Sequence, residues 1–113
     1  MEKRFNFTKK DEVNSVSATP LQKTGDDILT LTGAAIVERP DENGEVKEVG
    51  LLATTAGTFS SISATAIKGL DGIIDYMKEL QEDAEPGDGV AIQIKVLKNK
   101  SNAGREFLTL QII

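Results

Sequence analysis

One stretch restricts the fold more than any other. After Ser63 the chain carries Ile67, Leu70, Ile74 and Met77 at spacings of three, four and three, with Lys68, Asp71, Asp75, Lys78 and Glu79 off that line. This is the apolar stripe of an amphipathic helix. Ser63 stands where an N-cap belongs, its hydroxyl able to accept a hydrogen bond from a first-turn amide. Burial of four such side chains is worth roughly 1.5–3 kcal/mol each, so the helix is expected to cap or plug a core. Gly69 and Gly72 each cost it about 1 kcal/mol relative to Ala, a cost that close packing on a sheet would offset.

The segments around this helix read as strands. Residues 28–38 form one, with Leu29, Leu31, Ala35 and Val37 on one face and a bulge or bend at Gly33. Arg39 to Gly44 is a turn, and residues 46–54 return with Val49, Leu51 and Ala53 on one face, giving an antiparallel hairpin. The chain turns again at Ala56-Gly57 and runs polar and extended from Thr58 to Ile62. Beyond the helix, Val90, Ile92, Ile94 and Val96 alternate with Gln93 and Lys95, and Leu108, Leu110 and Ile112 alternate with Phe107, Thr109 and Gln111. Residues 98–105, KNKSNAGR, are a basic hairpin loop between them. Gln81 to Gly89 reads as an acidic loop. Residues 1–25 are the least defined part: a short edge strand at Phe5 to Thr8, a polar loop from Lys9 to Thr19, and a turn at Gly25-Asp26-Asp27. The expected architecture is a single domain over residues 1–113, mainly β and OB-fold-like, with one amphipathic α-helix between the third and fourth of about five strands.

Composition removes most chemistry. Among 113 residues there is neither cysteine nor histidine, which excludes disulfides, thiolate nucleophiles and the commonest general base and metal ligand. No phosphate-binding glycine motif and no G-x-S-x-G occur. Asp71 and Asp75, one helical turn apart, read as a solvated helix face. Asp41 to Glu45 is rich in oxygen ligands but has Leu52 where a calcium loop needs its bidentate Glu, so it reads as a turn. We expect no enzyme, no metal and no cofactor. The first ten residues have no apolar run behind them and are not read as a signal peptide. The uncharged run 49–67 is rich in Ser, Thr and Gly and is read as strands, not a membrane span. The expected compartment is a cytoplasm.

The net charge is −5, but it is unevenly distributed. Residues 1–10 hold four bases and one acid, net +3; residues 11–88 hold five bases and sixteen acids, net −11; residues 89–113 hold four bases and one acid, net +3. The positive end-segment contains a candidate binding surface. Gln93 and Lys95 share the outward face of one strand, Phe107, Thr109 and Gln111 that of its partner, and Lys98, Lys100 and Arg105 occupy the loop. Cations that follow phosphates, beside rings that stack on bases, are how single-stranded nucleic acid is held. Two plainer uses stay open here: Phe107 in a second core face, and the lysines as ordinary solubilising charge.

The run GLLATTAGTFSSIS leading into the helix, and VAIQIKVLKNKSNAGREFLTLQI after it, resemble the single-stranded DNA-binding proteins of phi29-like phages, from about Asp27 to Ile113. The resemblance implies a protein that binds single strands with little regard to sequence and coats displaced strands during protein-primed phage DNA replication. It implies the host cytoplasm as location, single-stranded DNA as partner, and phage replication proteins or further copies of itself as additional partners. It also implies stacking roles for Phe59, before the helix, and Phe107, after the loop glycine. With five aromatics in all, this chain has few rings to spare. A rival reading is a small phage protein that modulates a host protein through an acidic face, without affinity for DNA.

Overall fold

A computed structural model describes residues 2–21, 28–84, 89–100, 102–104 and 106–113. Its frame is one long strand, β3 (Ile28–Pro40), which every other part of the sheet is built on. On one side β3 pairs antiparallel with β4 (Val46–Thr54), and β4 with β5 (Gly57–Ser61). On the other side, its first residues pair with β6 (Ile92–Lys100), and β6 with β7 (Glu106–Ile112). Further along that side, β1 (Lys3–Phe5) takes over, with Phe5 opposite Ala34. The two-residue β2 (Thr19–Pro20) lies parallel to β5. The seven strands make one curled, half-barrel sheet, OB-fold-like and mainly β, in the order β2-β5-β4-β3-β6-β7 with β1 beside β3. Among the described residues the expected five strands are therefore seven. The long helix α2 (Ala64–Asp83) lies between β5 and β6, since two short strands precede the hairpin.

Helix α2 behaves as its stripe dictates. Ser63 accepts a hydrogen bond from the Ala66 amide, and Ile67, Leu70, Ile74 and Met77, joined by Ala66 and Ile73, are buried. They close the inside of the half-barrel against Leu29, Leu31, Ala34, Ile36, Leu52, Ile94, Val96 and Leu108. Gly69 sits over β7, where a Cβ would come 3.6 Å from Leu110 Cβ. Thr65 Oγ1 donates to the Leu108 carbonyl at 2.7 Å, so the helix also ties down the outer edge of the sheet. The helix continues through Gln81 to Asp83, which shortens the expected acidic loop from its N-terminal end.

A bulge in β3 redistributes the faces. The register slips between Leu31 and Gly33. Leu29 and Leu31 therefore point inside together with Ala34 and Ile36, whereas Ala35 and Val37 turn to the outer face. The shared face expected for residues 29, 31, 35 and 37 is thus split in two, because one extra residue inverts the alternation that follows it.

Residues 6–21 use that outer face. The expected polar loop is a short helix α1 (Lys9–Asn14) followed by a 3-10 turn (Ser15–Ser17). Thr8 and Asp11 close a reciprocal capping box at its start. Asn6, at φ 47°, turns the chain off β1 and over β3, and its side-chain amide donates to the Thr32 carbonyl at 3.0 Å. Phe7 then packs on Ala35, Val37 and Leu51, while Leu21 enters the main core at the far end. At Asn6 the strap crosses directly over Gly33, where a Cβ would collide with the Asn6 carbonyl oxygen. Gly33→Ala is expected to push the strap away and cost about 1–3 kcal/mol, with faster amide exchange at residues 3–7. Unchanged melting and exchange would mean that the chain crosses elsewhere.

Candidate nucleic-acid interface

The strap leaves the other half of the outer face uncovered, and strand register decides what lies there. Lys95 is directly opposite Gln111 on β7 and Ile28 on β3, and Gln93 is opposite Thr30. Toward the hairpin tip, Leu97 is opposite Thr109, and Asn99 is opposite Phe107. Directly opposed residues project from the same face of a sheet, with Cβ atoms about 4.5–5.5 Å apart. Gln93, Lys95, Phe107 and Gln111 therefore share one open surface, floored by Thr30 and Thr109. Lys95, Gln93 and Gln111 are exposed and Phe107 is half-buried. Asn99 Nδ2 donates to Thr109 Oγ1 at 3.1 Å, fixing two of the polar groups beside that ring.

The cations expected in the loop are placed differently. β6 runs through Lys100, so Lys98 and Lys100 are strand residues, opposite Leu108 and Glu106. Both are exposed, but alternation puts them on the reverse side of the ribbon from Lys95 and Phe107. The loop itself narrows to a turn about Asn102 to Gly104, where Gly104 takes φ 79°. Arg105 lies outside the described residues. Lys98 and Lys100 thus lie on the side of the ribbon away from that surface.

Phe59 is a correction. It is 7% exposed and belongs to the main core, not to a projecting turn. β5 pairs with β4 so that Phe59 stands opposite Leu52, on the inner side. Thr58 and Ser60, which give the segment its polar look, occupy the alternate face. In a strand this short, the mean polarity of two faces hides a single buried ring.

Sequence reasoning missed Ile28, Thr30, Leu97 and Asn99 as members of the open surface. The alternation of Ile28-Leu29-Thr30-Leu31 was a usable signal for the first two. It also missed the ion pairs that tie the strap down. Lys3 Nζ donates to Asp71 Oδ1 at 2.5 Å and lies 2.7 Å from Asp75 Oδ1, so the acidic pair of α2 clamps β1. The hydrogen bonds to Asp71 and Asp75 raise the Lys3 pKa. Arg4 pairs with Glu12 at 3.1 Å and holds that carboxyl below its ordinary value. Arg39 donates to Ser15 Oγ at 2.7 Å at the far end of α1.

A separate groove of about 920 Å³ runs between the β3–β4 ribbon and the start of α2. Its rim mixes Arg39, Lys47 and Lys68 with Asp41, Glu48 and Asp71, a lining without the excess of positive charge a polyanion requires. Among the described residues no group of acidic side chains could hold a metal ion, and no helix is long and apolar enough to cross a membrane.

The open surface thus pairs a ring with cationic and amide side chains on a curled β-sheet. The family model described as phage single-stranded DNA-binding protein, of the phi29 type, matches residues 14–113. The chain belongs to this family. No curated protein and no solved structure matches it. Within this phi29-type single-stranded DNA-binding protein family, the chain's matched segment takes in β2 to β7, α2 and the whole open surface, whereas β1 and most of α1 precede it.

Proposed function

We propose that the protein binds single-stranded DNA across the open face of β3, β6 and β7, with little preference for sequence, and coats displaced strands during phage DNA replication in the host cytoplasm. The observation that supports this most directly is that Lys95, Gln93, Gln111 and Phe107 share one uncovered face in a member of a single-stranded DNA-binding family. Phe107 stacks on a base, Lys95 takes a phosphate beside it, and the two glutamines donate to and accept from whatever base edge or sugar passes. Lys98, Lys100 and Arg105 add phosphate contacts along the ribbon. Nothing in this set reads a base pair: a π-face is common to all four bases, and amides adapt to either donor or acceptor. A duplex hides those faces, which favours single strands.

The experiment is fluorescence anisotropy with labelled oligo-dT, a mixed-sequence oligonucleotide and a duplex. The two single strands should bind within a few-fold of each other and the duplex more weakly. Lys95, Lys98, Lys100 and Arg105 contribute four phosphate contacts, so the plot of log affinity against log salt should fall with a slope of about −3 or steeper, from ~0.7 per contact. A duplex preference, or affinity indifferent to salt, would overturn this reading.

A further inference from the structure

We propose that the N-terminal strap is a second wall of this DNA site and that Lys9 and Lys10 on it take phosphates of the same strand. The inference rests on the reading of the open face as the DNA site.

Three observations carry it. First, OB-folds take oligonucleotides on the outer face of their second and third strands, between two flanking hairpins. Here those strands are β4 and β5, and the outer face beside them is occupied: Phe7 packs on Ala35 and Val37 of β3 and on Leu51 of β4. What a strand of DNA would meet there is Phe7 and the segment that carries it, not the bare sheet. Second, the direction of α1 is fixed at both ends. Asn6 is bound to the Thr32 carbonyl and lies against Gly33, and Ser15 is bound to Arg39. The helix therefore begins beside the open face and runs away from it. Lys9 and Lys10, in its first turn, follow within four residues of Asn6, which crosses at Gly33. Gly33 is three residues, about 10 Å of strand, from Thr30, the partner of Gln93. Third, both lysines are exposed. Glu12 lies 3.6 Å from Lys9 but is already engaged by Arg4 at 3.1 Å, so its charge is largely answered from within the strap. The exposed Val13 follows Lys9 by four residues and Lys10 by three, which puts it on the same flank of α1.

A strand that stacks on Phe107 and passes Lys95 is thereby guided from the β6–β7 ribbon onto the strap. The strap supplies charge beside a stretch of sheet, Ala35, Val37 and Leu51, that has none.

The test measures salt dependence of oligo-dT binding by the full chain and three variants. Lys9→Gln with Lys10→Gln should reduce the steepness of the log–log slope by about 1.4, two contacts at ~0.7 each, with the melting temperature unchanged. Lys68→Gln with Lys78→Gln, the same charge loss on α2, should leave the slope as it is. Val13→Lys, which adds a cation to the proposed flank, should steepen it by about 0.7. If the strap pair behaves like the α2 pair, or Val13→Lys has no effect, the strap does not touch DNA even though the open face does. If the wild-type chain fails to bind oligo-dT at all, the underlying DNA site falls and this inference falls with it.

Discussion

Phe59→Ala is expected to lower the stability of the protein by about 3–5 kcal/mol while leaving the affinity of each folded molecule for single strands unchanged. The residue is 7% exposed and packed with Leu21, Leu52 and the α2 stripe. Truncating it removes the transfer energy of a large aromatic and leaves a cavity that strands pinned by β-ladder hydrogen bonds on either side can fill only in part. Domains of this size have about 5–15 kcal/mol of stability in all, so the loss is a large share of the total. It should appear as a lower urea midpoint with an unchanged m-value. The binding measurement is normalised to the folded fraction, because an unfolded population mimics lost affinity. A normal midpoint together with weakened binding would return Phe59 to the DNA surface.

Phe107→Ala should do the reverse. Its ring is half-buried on the face that Lys95 and Gln111 share, and base stacking is worth about 1–3 kcal/mol by alanine substitution. Affinity should fall about ten- to a hundredfold, alike on every sequence and with the salt slope retained, since no charge is removed. The stability cost should be well below that of Phe59→Ala, because Phe107 is only half-buried. Phe107→Trp should keep binding. The chain has no other tryptophan, so its emission reports on that position alone and should quench when oligonucleotide is added. An emission indifferent to DNA, with affinity intact in Phe107→Ala, would assign the ring to the hydrophobic floor of the sheet.

Both experiments turn on the same point: two phenylalanines in similar sequence surroundings have opposite positions in the fold. What the sequence determined by itself was local and periodic. The four-residue stripe and Ser63 specified α2, because a helix's buried face and cap are written within its own residues. Clean two-residue alternation in 90–97 and 106–112 specified which side chains leave β6 and β7 together, so the face of Gln93, Lys95, Phe107 and Gln111 was legible in the residues alone. The Thr8-x-x-Asp11 capping box was legible too, though α1 is short and carries no apolar stripe to draw notice to it.

Tertiary structure decided the rest, wherever a residue's environment depended on distant chain. Gly33 announced a bulge, but only the register of β3 against β4 showed that the bulge inverts the faces beyond it and moves Ala35 and Val37 out of the main core. Phe59 is inside because β5 pairs with β4 in one register and α2 closes over it, facts that its polar neighbours could not convey. Lys98 and Lys100 separated from Phe107 when β6 proved to extend further than the loop-like composition of KNKSNAGR allowed. The strap's path could not be read at all from residues 2–21, since it is set by a missing side chain at Gly33, by apolar side chains at 35, 37 and 51, and by carboxylates at 71 and 75. Periodicity reports how a segment presents its own faces; which face meets core, strap or solvent is settled only by the segments that pack against it.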